Sequence, residues 1–499
     1  MRKGLLLLLL GILFFIQACT LSTTTTSLTA STSSTTTQST TTVSTSESET
    51  NPVSYETLFE RENYKKFTLY FSKANFDKLI DDMENYYDEF GSYRDNTIQE
   101  VDMVYEDGYG NILSVNEVGF RTKGNIFSRR LPIVRDELGN VIGYQQVSFQ
   151  LEFNDAFDYP INSTQYKTLR ARRVFDLEQL NFKYIRDYDT SAVTEMAGYD
   201  YFRMIGVPAP NTAMAIIYFN IDGVEIPYGL FTVTEPVDDV FARRYFGKNA
   251  DGTIGDLYKC VWQDPGPANL KNDLNSRKLG VSDYNEGYRK TYQLKTNKTT
   301  SNYADFYYFV DRLNQPSLPN YENVLLQILD VDTWLKTLAM AFLVGNPDDY
   351  RSDANNYYLY FYENKAVYIP FDYDQSLGFG WNPYGDYGIS NNVWSYPPAQ
   401  SYLGQANDLP LVYNVLNIST FRTTYENYLL EYTDAASGAF NVQIFKDLFD
   451  VIKPLYEAEV VVANHLGLRV FSLEQRDMNI DTYFTEKIQS TRNQILATR

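Results

Sequence analysis

Residues 20–54 are dominated by Thr and Ser and hold no aromatic side chain, too little apolar surface to offset the conformational entropy lost on folding. Globular structure is therefore confined to the chain from Tyr55 onward. That part is large enough for one catalytic-size unit with a buried core and has no internal repeat. Its polar stretch 264–301 reads as a long insertion or loop.

Ahead of the Thr/Ser tract, Arg2 and Lys3 precede an apolar run from Gly4 to Ile16, shorter than the roughly 20 residues of a membrane span and patterned as a secretory signal. Ile16-Gln17-Ala18-Cys19 resembles the lipobox of bacterial lipoproteins, in which cleavage exposes the cysteine to acylation. Cys19 is thus the expected lipid anchor to the cell membrane, with residues 20–54 as tether on the extracellular face. An ordinary cleaved signal with an incidental cysteine is the alternative.

Composition decides which chemistry is open. The chain has one histidine, His465, and two cysteines, Cys19 and Cys260, so zinc sites of nitrogen and sulfur ligands and the usual hydrolytic triads lack their parts. His465 lies in an aliphatic, helix-patterned stretch, 460–468, and reads as structural. With 43 Lys and Arg against 63 Asp and Glu the net charge is −20, which disfavours nucleic-acid partners. Carboxylates, amides and tyrosines remain, and they direct metal chemistry toward hard ions held by oxygen.

Strand patterns occur at 66–71, 117–123, 146–153, 212–219 and 228–234, with a helix expected at 190–205 capped by Thr190 or Ser191. These compose a small α+β lobe in which strands enclose one helix. The later portion is mainly helical, with apolar positions at helical spacing over 332–344 and Gly345 placed to end that helix. Further helices are expected at 419–432 and 442–462, giving a larger second lobe with a cleft between the two.

After the Trp334 helix come Asp348, Asp349, Asn355 and Asn356, an aromatic strand 357–362, a turn at 363–365, a second strand 367–371, then Asp372 and Asp374. A three-residue loop would pair 362 with 366, and hence 356 with 372 on one face; a two-residue loop would send those two to opposite faces. The first register is expected. Asp372, Asp374 and an amide oxygen then suit a divalent cation, and Asp348 supplies a carboxylate to orient or deprotonate a hydroxyl, the apparatus of phosphoryl transfer. A solvated turn and a plain strand end are the other reading of the same residues.

Several separated motifs resemble the CotH kinase family. They are Gly119-Phe120-Arg121-Thr122-Lys123-Gly124-Asn125, Asp189-Thr190-Ser191 through Glu195, Gly206-Val207-Pro208, Tyr228-Gly229-Leu230-Phe231 with Glu235 to Asp238, Gly255-Asp256-Leu257-Tyr258-Lys259, and the block holding Asp348, Asn356 and Ile369-Pro370-Phe371-Asp372-Tyr373-Asp374. The resemblance implies an atypical bilobal protein-kinase-like fold, with a β-rich N-lobe at about 55–235 and a larger helical C-lobe at about 239–499. It also implies ATP-dependent phosphorylation of serine or threonine in a cell-surface or secreted protein, with Mg2+ or Mn2+. On it Asp348 is catalytic and Asn356, Asp372 and Asp374 are metal ligands. Glu195 is the helix glutamate that pairs with a phosphate-binding cation, Arg121, Lys123 and Lys259 are cations for the nucleotide, and Glu235 belongs to the interlobe hinge.

The chain departs from that pattern at Gln150, where members commonly carry a lysine, at Asn355 for a histidine and at Phe371 for a tryptophan. A neutral amide cannot supply charge to phosphates, so activity is expected to be reduced or lost unless Lys123 or another cation substitutes. A noncatalytic kinase-like surface scaffold and a metal-dependent sugar-transferring or carboxylate-pair enzyme are the competing functions.

Overall fold

Period-two burial marks the first part of the chain. In β1 (Lys65–Phe71) and β2 (Gln99–Asp107) the side chains of Phe67, Leu69, Phe71, Val101, Met103 and Tyr105 turn inward, as in strands with one face in a core. There follow β3 (Ile112–Thr122), a projecting hairpin of β4 (Ile133–Arg135) and β5 (Val141–Tyr144), β6 (Phe149–Glu152), β7 (Gln179–Tyr184), β8 (Thr212–Ile221) and β9 (Val224–Thr234). The order β1-β2-β3-β6-β7-β9-β8 closes into a barrel through parallel pairing of β8 with β1, which leaves no open edge. The computed structural model describes residues 52–126, 128–395, 409–463, 471–475 and 478–499; the expected signal, Cys19, the tether as far as residue 51 and His465 lie outside them.

Aromatic side chains fill the barrel. Phe149 stacks on Phe182 with ring centroids 4.6 Å apart and meets Phe120 and Phe231, a packing that fixes the parity of the strands. Because Phe182 points in, Asn181 and Lys183 of β7 point out, in register beside Gln150 of β6, which is itself paired with Arg121 of β3. This outer face looks onto the candidate site.

Helices α1 (Tyr55–Phe59), α2 (Lys73–Phe90), α3 (Thr164–Ala171), α4 (Thr194–Met204) and α5 (Asp239–Phe246) accompany these strands, more than the single helix expected. A second sheet has the order β11 (Leu279–Gly280), β12 (Tyr292–Leu294), β10 (Leu257–Cys260), β13 (Tyr357–Tyr362) and β14 (Lys365–Pro370). Around it lie α6 (Ala304–Leu313), α7 (Tyr321–Ile328), α8 (Val331–Val344), α9 (Tyr350–Asp353), α10 (Pro410–Leu416), α11 (Ser419–Tyr432), α12 (Val442–Ala463) and α13 (Ile480–Leu496). Helix α8 is buried nearly all round, as its apolar content requires, and Gly345 ends it at φ 71°. From Thr50 to Arg499 the chain forms one compact α+β unit.

Three expectations are corrected. Residues 264–301 are not merely a loop: they contribute β12, paired with β10, and β11, paired with β12. In the β13–β14 hairpin Tyr362 pairs with Lys365, so the turn has two residues, Glu363 and Asn364, at φ 49° and 64°, the primed turn that matches strand twist. Asn249 holds it from outside, its Oδ1 accepting from the Glu363 N–H at 3.1 Å, while the Glu363 carboxylate accepts from the Ala250 N–H at 2.8 Å. Finally, α4 starts at Thr194 with no side-chain cap at Val193, because Asp189 organises the approach. Its buried Oδ1 accepts from the Ser191 and Ala192 N–H groups, both at 3.1 Å, and from the Ser191 and Thr194 hydroxyls at 2.6 and 2.8 Å.

Asp189→Ala would strand those donors in the interior, and a loss of about 2–3 kcal/mol of unfolding free energy is expected from chemical denaturation. A loss below about 0.5 kcal/mol would contradict this role.

Candidate active site

Strand β7 and helix α4 meet over the end of β14. Lys183, on the outer face of β7, reaches Glu195 Oε1 in the first turn of α4 at 3.1 Å and Asp374 Oδ2 at 3.1 Å, and also contacts Asp372 Oδ1. Burial alone would depress its ammonium, but Asp372, Asp374 and Glu195 hold it well above the ordinary lysine range. The same ammonium, prevailing over burial, keeps Asp372 below its ordinary value. Burial dominates at Glu195 and pushes it up to about 7, against the pull of Lys183. Tyr199, one turn further along α4, donates to Glu195 Oε1 at 3.4 Å and accepts from the Asp372 N–H at 2.8 Å.

Asp348 stands across from this cluster, after α8. Asn355 Nδ2 donates to its Oδ1 at 2.8 Å, and Asn356 Nδ2 donates to its Oδ2 at 3.0 Å and its backbone oxygen at 2.9 Å. Asn355 also accepts from the Trp262 N–H at 2.7 Å, so it carries a clamp from β10 to the carboxylate. Burial pushes Asp348 up to about 8, helped by the negative charges of Asp372, Asp353 and Asp374 and opposed by the Asn355 amide. Asn346 ties the halves together, donating to the Asp372 carbonyl at 3.0 Å and accepting from the Asp348 N–H at 2.9 Å. The neighbouring Asp349 turns away into a buried pair with Arg351 at 2.8 Å and caps α9.

The two-residue turn would set Asn356 and Asp372 on unlike faces of a continuing ladder, yet both serve the site. They lie just past the ends of β13 and β14, at φ 57° and 62°, so the left-handed backbone and not strand parity aims them.

Beyond Lys183 the outer barrel face carries a second set of cations. Lys123 donates to Asn181 Oδ1, and Arg121 pairs with Glu152 at 2.8 Å. Lys259 of β10 lies 4.5 Å over the Phe371 ring. Burial and the charges of Lys259, Arg121, Lys295 and Arg129 hold Lys123 well below the ordinary lysine range. Lys295, just past β12, is pushed down to about 7 by burial and by Lys298, Arg121 and Arg289. Whereas Lys183 is surrounded by carboxylates, these amines crowd one another, and a bound polyanion would favour their charged forms. Val237, Tyr358 and Ile369 belong to a buried apolar cluster, and the half-buried Phe371 packs against it with Lys259 over its ring.

Of the residues expected from sequence, Asp348, Asn356, Asp372, Asp374 and Glu195 converge, and Arg121, Lys123 and Lys259 form the adjoining cationic set. The Glu235 side chain does not join them: it is fully buried, pairs with Arg244 and accepts from the Asn211 N–H at 3.0 Å. Lys183, Arg186 and Lys295 were not foreseen. The signal for Lys183 was present in β7, where Leu180 and Phe182 alternate with Asn181 and Lys183. The donors at the acidic end are carboxylate and amide oxygens, the chemistry a hard divalent cation takes. Among the described residues no three carboxylate, imidazole or thiol groups form a ready-made metal cluster.

The family model described as CotH kinase protein matches residues 139–485. The match takes in Lys183, Glu195, Asp348, Asn356, Asp372 and Asp374 and begins after Arg121 and Lys123. No curated protein matches the chain.

Asp348 titrates higher in the folded chain than its unfolded value of about 3.9, so the folded state holds a proton that the unfolded state has released. This group therefore lowers stability as pH rises from about 4 to about 8. In metal-free buffer, unfolding free energy is expected to fall with pH more steeply for the wild type than for Asp348→Asn, by up to about 1.4 kcal/mol per pH unit. Equal slopes would contradict the placement of Asp348.

Proposed function

The chain belongs to the CotH kinase family, and on that premise we propose that it transfers the γ-phosphoryl group of ATP to a serine or threonine hydroxyl of a cell-surface or secreted protein. The observation that carries the reading is one constellation: Lys183 paired with Glu195 and with Asp372 and Asp374, opposite Asp348. The barrel and the helical part correspond, on this reading, to the two lobes of an atypical kinase, joined through residues 235–238. A lipid anchor at Cys19 would hold the enzyme on the extracellular face of the membrane.

Asp372, Asp374 and the Asn356 amide oxygen would hold Mg2+ or Mn2+. Such an ion, when bound, neutralises phosphate charge and orients the transferred group. The chain's own residues do the rest. Lys183, with Lys123, Lys259 and Lys295, draws the polyphosphate to the barrel face, and the patch of Val237, Tyr358 and Phe371 offers an apolar seat for the base. Asp348, fixed by the Asn355 and Asn356 amides, orients the acceptor hydroxyl and takes its proton. Its elevated proton affinity suits that exchange near neutral pH. The scaffold reading rested on Gln150, and Lys183 supplies the charge Gln150 lacks two residues along the paired strand from its partner Asn181.

Phosphate incorporation from γ-labelled ATP into a generic protein acceptor, with Mg2+ or Mn2+, tests the proposal. Asp348→Asn is expected to lower kcat at least about 100-fold with the KM for ATP within about threefold. Incorporation unaffected by Asp348→Asn, or absent from the wild type with either metal, would overturn it.

A further inference from the structure

The carboxylates assigned above to a divalent cation already share two cations of the chain. Lys183 Nζ lies 3.1 Å from Asp374 Oδ2 and contacts Asp372 Oδ1. Arg186, two residues beyond the end of β7, places Nε 3.4 Å from the same Asp374 oxygen. Its guanidinium is stacked 4.9 Å over the Tyr184 ring, and Nη1 donates to the Tyr184 hydroxyl at 2.5 Å. Asp374 therefore offers one oxygen to two cations, and Asp372 is bound by the first of them.

A divalent ion arriving alone would meet two positive charges at contact distance from its own ligands, in a partly desolvated pocket where such repulsion is poorly screened. Breaking those pairs without a substitute would in turn leave the buried Lys183 with Glu195 as its one carboxylate partner among the described residues and would strip Arg186 of Asp374. Lys183 and Arg186 can release the carboxylates only to another anion. Lys123, held on Asn181 of the same strand β7, and Lys259, over Phe371 beside Asp372, stand close by as further amines for a polyanion to engage.

We propose that Lys183 and Arg186 are resident counter-ions that exclude a divalent cation from Asp372 and Asp374 until a polyphosphate takes them over, so that metal and polyphosphate bind together. The inference rests on the kinase reading for the identity of the polyphosphate, and on geometry alone for the counter-ion role. Arg186 is here a positioning residue: it acts on the metal ligands through Asp374.

Binding of Mn2+ alone to the full chain, followed by the electron paramagnetic resonance signal of the free ion, tests this without catalysis. Lys183→Met is expected to bind Mn2+ at least about 10-fold more tightly than the wild type, and Arg186→Gln at least about threefold more tightly. Adding Asp372→Asn to either variant is expected to abolish the gain. A non-hydrolysable ATP analogue is expected to bring wild-type Mn2+ retention beyond what the analogue holds in free solution. Should Lys183→Met fail to fold, the half-exposed Arg186 decides through Arg186→Gln. Wild-type binding of Mn2+ alone as tight as that of the variants would overturn the proposal. Variant gains as expected with no effect of the analogue would leave the counter-ions in place and overturn the nucleotide reading.

Discussion

One ammonium group organises the site. Lys183 gathers Glu195 from α4, Asp372 from the end of β14 and Asp374 two residues on, elements that reach it from both the barrel and the helical part. Without that charge the three carboxylates could not share one desolvated pocket, since each would raise the proton affinity of the others. The barrel core sets where Lys183 points, because Phe182 stacked on Phe149 leaves the alternate residues of β7 no choice but the outer face.

Asp348 obeys a different rule. Among the described residues no cation pairs with it; two asparagine amides and a backbone clamp hold it in a buried position. Pairing with Lys183 holds the proton affinity of Asp372 down, and burial pushes that of Asp348 up. These two environments, joined by α9 and the β13–β14 hairpin, pull the two carboxyl groups apart in their acid and base tendencies.

Much of this was legible in residue order. The helix 332–344, its stop at Gly345, the helix 419–432 and the ordered set Asp348, Asn356, Asp372 and Asp374 all followed from apolar spacing and residue type. The expected hairpin register differs from the observed one because nothing in Glu363-Asn364-Lys365 excludes a three-residue loop; the two-residue turn is held by side-chain-to-backbone bonds between Glu363 and Asn249 and Ala250, distant in sequence. Asn356 and Asp372 still serve the site because their left-handed backbone lies outside the ladder. Lys183 stands outside every motif that offers Arg121, Lys123 and Lys259 as cations. That the neighbouring strand presents its lysine to the same face is a fact of strand pairing, which no local pattern carries. The side-chain partner of Glu235 was hidden for a similar reason: an acidic residue at a strand end gives no sign that Arg244, in the helix that follows, will claim it.

Nucleotide affinity in paired variants is the most direct measure of whether Lys183 has taken over the charge absent at Gln150. A fluorescent, non-hydrolysable ATP analogue, titrated with Mn2+ into the wild type, Lys183→Met and Gln150→Met, separates the two positions. The account predicts at least about a 30-fold loss of affinity for Lys183→Met, about 2 kcal/mol, and less than about threefold for Gln150→Met. The reverse order, or no loss from Lys183→Met, would contradict it.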